Sequence, residues 1–154
     1  MNKKLLLVPL AVLCMLLVIS CNQQKVIKNE MDEKYTVCYT AIFKTDTAWL
    51  KIDTANKHIL GELKFNYHNE KHYDGLVKAE MKGDTLRGYY SFKLNKVDKW
   101  YKNPIALLKK ENTLTMGIGE VYTLWGSGYF HNQYPIEYEK SRFVFEKVGC
   151  EIQM

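Results

Sequence analysis

The chain has 154 residues, of which 47% are hydrophobic, and a formal net charge of +5. It is long enough for one domain with a hydrophobic core, but too short for two such domains once a leader is removed. The basic surplus is small and scattered, and no block of five like charges occurs. The composition therefore excludes a nucleic-acid-binding footprint, and we expect no nucleic-acid partner.

The first 20 residues have the layout of a secretory signal peptide. Lys3 and Lys4 precede an apolar run over residues 5–19, which Pro9 interrupts. This run is shorter than the ~20 residues that a membrane-spanning helix needs, and proline disfavours a permanent helix. We expect residues 1–20 to be removed as a signal peptide, which lowers the net charge to about +3.

The end of the apolar run carries a second signal. Val18-Ile19-Ser20-Cys21 resembles the bacterial lipobox, in which aliphatic and small residues precede a cysteine. The resemblance implies cleavage before Cys21, attachment of diacylglycerol to its thiol and acylation of the new amine, for example with palmitate. Several acyl chains on one residue give a firm anchor, whereas one chain gives only marginal binding. A plain signal peptide with a chance cysteine, or an uncleaved anchor, is the alternative.

With this anchor, we expect the protein to lie in the cell envelope, at the outer membrane rather than the inner one. Its predicted membrane contact is the lipid on Cys21. No further transmembrane segment is predicted after that residue.

We predict different roles for the four cysteines. Cys14 leaves with the leader and Cys21 carries lipid, so Cys38 and Cys150 remain near the two ends of the folded part in an oxidising compartment. A remainder of two predicts a disulfide, which would close a loop of ~110 residues. Two unpaired buried cysteines are the alternative, and a metal pair is disfavoured because no histidine lies near either one.

The rest of the chain predicts a tether, a domain and a tail. Residues 21–33 are polar and predict a tether, residues 34–150 form a single β domain, and residues 151–154 form the tail. Within the domain, apolar and polar residues alternate with period two, which is typical of strands with one buried face. Short turn sequences separate the segments. The predicted strands are Tyr35–Phe43, Asp46–Asp53, His58–Tyr67, Val77–Met81, Leu86–Leu94, Trp100–Lys110, Thr113–Leu124 and Ser141–Val148.

Eight strands without helical periodicity predict an all-β, antiparallel up-and-down meander. Closure into a small barrel is favoured because it removes both sheet edges and places the first and last strands side by side, as a disulfide between Cys38 and Cys150 requires. A two-layer sandwich is the alternative. The stretch Lys82–Phe92 resembles turn–strand segments of lipocalin-like barrels, which implies a barrel of that shape.

The domain also resembles a group of bacterial proteins. Cys38-Tyr39, Asp46-Thr47, Gly83-Asp84-Thr85-Leu86 and Cys150 together are similar to small lipoproteins of the Bacteroidota kind. The resemblance implies a cell-envelope address, and it carries no activity and no catalytic residue.

Five glycines lie within or at the start of predicted strands, and two interpretations are open. They either bend the strands for barrel curvature or leave space for a cavity inside. These glycines are Gly61, Gly75, Gly88, Gly117 and Gly119.

No sequence motif predicts catalysis. Gly126-Ser127-Gly128 lacks the strand-to-helix context of a nucleophile elbow, and no phosphate-binding or dinucleotide-binding fingerprint occurs. His68 and His72 flank a turn, where they do not share a helix face that could hold zinc. We therefore predict no catalytic residue, no metal site and no cofactor.

The favoured hypothesis is a binding module, and an enzyme, which would need titratable groups that converge in one cleft, stays open as a third one. A small apolar or amphipathic ligand would occupy the barrel, in contact with aromatic residues on the inward faces, and Arg87 and Glu120 would guard its mouth. The alternative is a structural envelope protein with a filled barrel, whose exposed Trp49, Tyr89 and Trp100 contact a protein partner. The predicted ligand-binding residues are Phe65, Tyr67, Met81, Arg87, Tyr90 and Phe92.

Overall fold

A computed structural model describes residue 31 and residues 33–151 of the chain. Several predicted features lie outside these residues, namely the signal peptide, the lipobox-like stretch with Cys21, most of the tether and most of the tail. A 3-10 turn, Glu33–Tyr35, precedes ten strands. The strands are β1 Thr36–Phe43, β2 Asp46–Asp53, β3 His58–Tyr67, β4 Lys71–Lys82, β5 Thr85–Leu94, β6 Tyr101–Lys110, β7 Thr113–Met116, β8 Val121–Leu124, β9 Ser127–Phe130 and β10 Val144–Val148.

Eight of these strands close into an antiparallel barrel. Strands β1 to β7 pair in succession, and β10 pairs with both β7 and β1, which completes the ring. The prediction of an all-β meander that closes into an eight-stranded barrel is confirmed, and the two-layer sandwich is not observed. Closure leaves none of the eight strands with a fully unpaired edge.

The two ends of the barrel differ in what they carry. We call the end where β1 starts the lower end, and it also carries the β2–β3, β4–β5 and β6–β7 turns. The upper end carries the β1–β2, β3–β4 and β5–β6 connections and the start of β10. Because every pair around the ring is antiparallel, each residue can be assigned to an end from its place in its strand.

The inward side chains of the two halves differ in type. The lower half is filled by buried aliphatic and small side chains, which include Ile52, Ile59, Ala79, Leu86 and Leu107. The upper half is lined by aromatic rings whose centroids lie 4.9–6.0 Å apart; these are Phe65, Tyr67, Tyr73, Tyr90, Phe92 and Phe143. The rings of the upper half leave room between them.

The predicted disulfide is confirmed. Cys38 of β1 is bonded to Cys150, with their Cα atoms 5.1 Å apart. The bond lies where the ring closes, beside a β1–β10 ladder of only three residue pairs, whereas β1 and β2 pair over eight. The crosslink thus reinforces the seam where hydrogen bonding is sparse.

The predicted strand over residues 113–124 is two strands, and a loop after it contains a third. β7 ends at Met116, and β8 and β9 form a hairpin through a two-residue turn at Trp125 and Gly126. Both turn residues have positive φ, 54° and 76°, as the turn of a tight hairpin requires. The hairpin lies outside the ring and joins it through one parallel bridge between Lys102 and Ser127.

Two further strands begin three or more residues from their predicted starts. β4 begins at Lys71, six residues before the predicted start, because a polar stretch that resembles a loop pairs with β3 as far as Tyr67. β10 begins at Val144 rather than Ser141. Pro104 is tolerated in β6 because the ladder with β7 begins only at Leu107.

Three of the predicted glycines are required by the packing of neighbouring strands. A Cβ atom at Gly75 would overlap the Ser91 carbonyl oxygen, and one at Gly88 would overlap the Lys78 carbonyl oxygen. A Cβ atom at Gly61 would lie 2.6 Å from the Lys51 carbonyl oxygen. These positions support the interpretation that glycine permits strong strand curvature, and they do not open space inside the barrel.

The expectation of an exposed Trp49 is wrong. Trp49 points to the outer face of β2, but only 7% of it is exposed, and Lys64 lies across its indole with Nζ 5.5 Å from the ring centroid. Long lysine stems can cover apolar surface in this way. Trp100 is exposed as predicted, and Tyr89 is half-buried.

An ion pair between a buried carboxylate and an exposed guanidinium ties the upper end together. Asp46, which is 5% exposed, accepts a hydrogen bond from Arg142, with 2.8 Å between Nη2 and Oδ2, and its other oxygen lies 3.2 Å from Nδ1 of His68. The two partners of the ion pair are 96 residues apart in sequence. The contact therefore links the start of β2 to the segment before β10.

Replacement of Arg142 by alanine should lower the free energy of unfolding by about 2 kcal/mol, because it leaves the buried Asp46 carboxylate without its charged donor. Chemical denaturation at neutral pH measures the change. Lys140→Ala, which removes a solvent-exposed pair with Glu137, is the matched control and should leave the unfolding midpoint unchanged. Equal losses in the two variants would contradict this role for Arg142.

Candidate functional site

The upper half of the barrel contains an apolar cavity of about 360 Å³ that is partly open to solvent. This volume lies in the range of known small-molecule sites. Aromatic and aliphatic side chains form most of its wall, with one amide and three tyrosine hydroxyls. The lining residues are Phe65, Tyr67, Tyr73, Tyr90, Phe92, Asn103, Pro104, Ile105, Met116, Gly117, Ile118, Gly119, Val121 and Phe130.

A gap in the ring of strands explains where the cavity lies. β6 runs to the upper end, but β7 pairs with it only from Leu107 to Lys110 and stops at Met116. The upper part of β6 therefore has no β7 residue beside it. Residues 117–119 and the β8–β9 hairpin occupy this place, so one wall of the cavity lies outside the eight-stranded ring.

Contacts along residues 117–143 hold this wall in position. The Gly117 amide donates to the Ala106 carbonyl, and Ile118 pairs with Glu137 through two backbone hydrogen bonds of 2.8 Å. A Cβ atom at Gly117 would overlap the Ile136 side chain, so glycine allows this segment to pack closely against the barrel. The wall is thus built from backbone pairings between residues 11 and 19 positions apart.

Four of the six predicted ligand-binding residues line the cavity together, and they are Phe65, Tyr67, Tyr90 and Phe92. Met81 pairs with Leu86 at the lower end, away from the cavity. Arg87 is exposed on the outer face of β5. Glu120 is exposed between two residues of the cavity wall, Gly119 and Val121.

Several lining residues were not predicted, for different reasons. Tyr73 lies in the polar stretch that resembled a loop, although its period-two spacing with Gly75 and Val77 was a usable signal. Phe130 belongs to β9, which the sequence pattern did not indicate. Met116 lies two residues after Leu114, on the same face of β7. The period-two pattern of this strand could therefore have predicted that both side chains point inward.

The chemistry of the wall suits binding of a neutral or amphipathic molecule. None of the lining residues carries a carboxylate, an imidazole, an amine, a guanidinium or a thiol. The Tyr90 hydroxyl donates to the Leu63 carbonyl at 2.9 Å, and burial raises the pKa of this hydroxyl far above its usual range. Burial also raises the pKa of Tyr67. Both hydroxyls are therefore neutral hydrogen-bonding groups at ordinary pH.

A polar cluster lies beside the aromatic lining of the cavity. Burial and then the neighbouring Tyr73 raise the pKa of Tyr67. The charge of Arg142 lowers this pKa and the charge of Asp46 raises it. The Arg142 guanidinium also lies 5.0 Å from the centroid of Phe43. An amphipathic ligand would thus meet apolar rings inside the barrel and charged groups near its upper end.

Buried tyrosines should make the barrel sensitive to alkali. Because the folded-state pKa of Tyr90 lies above the unfolded value of about 10, its stabilisation is complete below pH 10 and is lost as the pH rises further. Tyr90→Phe should cost about 1 kcal/mol at pH 7 and should reduce the slope of stability against pH above 10.

Urea denaturation between pH 7 and 11.5 measures both effects of Tyr90→Phe. Tyr134→Phe removes an exposed hydroxyl and should leave the curve unchanged. A Tyr90→Phe curve parallel to that of the wild type above pH 10 would show that Tyr90 does not contribute to the alkaline loss.

A second concavity lies on the outer surface. Arg87 and Tyr89 of β5 face Tyr129 and His131 across a groove of about 400 Å³, and the rings of Tyr89 and Tyr129 meet edge to face at 6.0 Å. Here Arg87 is placed beside exposed polar and aromatic groups, apart from the interior cavity.

Among the described residues, no three or more histidine, cysteine or acidic side chains are grouped so that they could hold a metal ion. Within the same part of the chain, no helix has the length and apolar character needed to cross a membrane. Comparison with protein-family models, with curated proteins and with solved structures finds no match to this chain.

Proposed function

We propose that this protein is a lipid-anchored cell-envelope protein that holds a small apolar or amphipathic ligand inside its barrel. The single observation that carries the proposal is the apolar cavity in the upper half of the barrel. The packed lower half gives the ligand a floor, and the aromatic upper half gives it a wall.

The composition of the wall indicates the class of ligand. Aromatic rings bind apolar chains and ring systems through burial and favourable stacking. The hydroxyls of Tyr67 and Tyr73 and the amide of Asn103 offer a few hydrogen bonds to a polar group. A cavity without ionised side chains does not compensate a buried charge, so the buried part of the ligand should be uncharged.

The proposed location is supported by the leader pattern and by the crosslink. Val18-Ile19-Ser20-Cys21 resembles a lipobox, and the disulfide between Cys38 and Cys150 is typical of proteins folded outside the reducing cytoplasm. A lipid on Cys21 would hold the domain at the membrane without a spanning segment.

The alternative is a structural envelope lipoprotein that binds a protein partner. It assumed a filled barrel, which the cavity argues against. It assumed an exposed Trp49, whereas this side chain is buried. The exposed apolar tip of the β8–β9 hairpin is the observation that favours it.

A fluorescent fatty-acid probe tests the ligand proposal. We expect the chain that begins at residue 21, with Cys21→Ser, to bind the probe saturably and to release it to unlabelled apolar competitors. The barrel strands all lie between residues 36 and 148, so this chain retains them. Met116→Trp should weaken binding by about tenfold, because the larger side chain occupies part of the cavity.

Leu76→Trp, which introduces the same side chain on the outer face of β4, is the matched control and should bind the probe like the wild type. Probe binding that cannot be displaced, or that both tryptophan variants weaken equally, would contradict a ligand site inside the barrel.

The anchor is tested separately in cells. Cys21→Ser should leave the chain uncleaved and without radioactive palmitate, because the thiol that accepts diacylglycerol is missing. Cys14→Ser is the control and should be processed and labelled normally. Labelling of the Cys21→Ser chain would show that the lipid is attached elsewhere.

A further inference from the structure

We propose that the tip of the β8–β9 hairpin and the β5–β6 loop beside it form a docking surface for a membrane that contains anionic lipids. We call this surface the upper tip, and it consists of residues 95–102 and 121–127. The inference concerns the outside of the protein and does not depend on a ligand in the cavity.

The hairpin presents apolar side chains at the point where it turns. Trp125 is 94% exposed and Leu124 is 49% exposed, and Val121 and Tyr122 are also exposed. Over residues 117–131 the only charged side chain is Glu120. A soluble surface rarely displays a turn of this composition, and such a patch marks a site of contact with a protein or a membrane.

The β5–β6 loop adds to the same surface. β6 and β9 run parallel, with Lys102 opposite Ser127, so Trp100 and Trp125 each precede the bridge by two residues and lie at the upper end. Neighbouring strands are about 4.8 Å apart. Trp100 is 57% exposed and Val97 is 58% exposed. Two tryptophans, a leucine and a valine therefore project from one end of the barrel.

Lysines surround these apolar residues. Residues 93–102 contain four lysines and one acid, Asp98, which is paired with Lys93. Lys96, Lys99 and Lys102 carry the other positive charges of this segment. Nζ of Lys102 lies 4.2 Å from the centroid of the Tyr89 ring, and Lys96 also lines a groove that contains Trp49 and Asp74. Lys93 and Lys99 lie 5.1 Å from the centroids of Trp100 and Tyr101, respectively, so the charges stand directly beside the rings.

This combination favours a lipid surface over a protein partner. Tryptophan is enriched at the membrane–water interface, where its ring sits at the level of the headgroups. Each lysine near an anionic membrane contributes attraction, whereas lysine is depleted in protein–protein interfaces. The charge of the upper tip therefore complements anionic headgroups.

The geometry permits the upper tip to reach the membrane to which Cys21 would be anchored. β1 starts at the lower end, and the barrel strands of about ten residues, tilted by about 40°, give a height of roughly 25 Å. The 13 residues from Cys21 to Glu33 span at most about 45 Å when extended. The hairpin that carries the tip also forms a wall of the cavity, so docking would place this wall beside the lipid.

Vesicle flotation with the chain that begins at residue 21 and carries Cys21→Ser tests the proposal. We expect binding to vesicles of phosphatidylcholine with about one third phosphatidylglycerol, weak binding to pure phosphatidylcholine, and a blue shift of tryptophan emission on binding. Trp125→Ser should weaken binding by about tenfold. Lys96→Gln with Lys99→Gln should weaken it by about fivefold for each lysine.

Two control variants match these changes away from the tip. Leu76→Ser removes an exposed apolar side chain from the middle of the barrel, and Lys78→Gln with Lys110→Gln removes two lysines outside the tip. Both should bind anionic vesicles like the wild type. The tip residues are exposed, so their variants should retain the wild-type melting temperature.

Three results would overturn the proposal. The first is a wild-type chain that floats with neither vesicle type. The second is flotation that the tip variants and the control variants reduce equally. The third is tip-dependent self-association in sedimentation without vesicle binding, which would make the tip a protein interface. Loss of probe binding inside the barrel would leave the flotation results unaffected, so the two proposals fail separately.

Discussion

Removal of the disulfide is expected to lower the free energy of unfolding by about 4–5 kcal/mol, because the bond restricts the unfolded chain over 112 residues. The loss should be near the upper part of the range for single disulfides. The bond joins β1 to the residue that follows β10 by two positions, at a seam of three residue pairs. The barrel has little else to hold this seam closed.

Guanidinium denaturation of the double variant Cys38→Ala with Cys150→Ala measures the effect. The wild type with excess reductant is the control and should unfold at nearly the same guanidinium concentration as the double variant without reductant. Reductant should not change the variant further. A double variant that keeps the wild-type midpoint would show that the crosslink contributes nothing to the closed barrel.

Gly88→Ala is expected to destabilise the barrel by about 3 kcal/mol or to prevent folding, because the new methyl group would overlap backbone atoms of β4. The Lys78 carbonyl oxygen and the Ala79 Cα atom cannot move away without breaking the β4–β5 ladder. The effect should be larger than an alanine substitution of an ordinary exposed glycine.

Gly149→Ala provides the matched control, since a Cβ atom there meets nothing within 4 Å and its φ is not in the left-handed region. Its unfolding midpoint should stay within error of the wild type. Thermal and denaturant unfolding compare the variants, and soluble yield reports failure to fold. Equal stability of Gly88→Ala and Gly149→Ala would mean that the close strand approach at Gly88 is not required.

The sequence pattern predicted the ring because each of its hairpins is local. Strands such as His58–Tyr67 alternate strictly, and Gly83-Asp84 leaves little choice of turn. Closure followed from strand number and from the two remaining cysteines. In these regions short-range turn chemistry and period-two burial agree, and either alone would give the same register.

The sequence pattern failed where pairing is not local. The apolar run over residues 113–124 reads as one strand, but Ile118 leaves the barrel to pair with Glu137, 19 residues later. Nothing near Ile118 in the sequence indicates that partner. The same departure creates the missed hairpin and the outer wall of the cavity. Five of the fourteen lining residues therefore depend on contacts that a period-two pattern does not predict, and they are Gly117, Ile118, Gly119, Val121 and Phe130.

Burial was also misjudged where a side chain on the outer face of a strand was assumed to be exposed to solvent. Trp49 faces outward by alternation, and the prediction equated outward with exposed. The lysine beside it covers its ring, so a side chain on the outer face is buried. Conversely, Met81 lies on the inward side but near the lower rim, where it is partly open to solvent.

The proposed ligand is tested most directly by native mass spectrometry of the full protein, extracted from its own envelope in mild detergent. We predict a lipid-modified chain that begins at Cys21, together with a non-covalent adduct of low mass that is released on gentle activation. Met116→Trp should lose the adduct and keep the lipid. A wild-type chain that carries the anchor and no adduct, in repeated preparations, would contradict the account of the barrel as a ligand carrier.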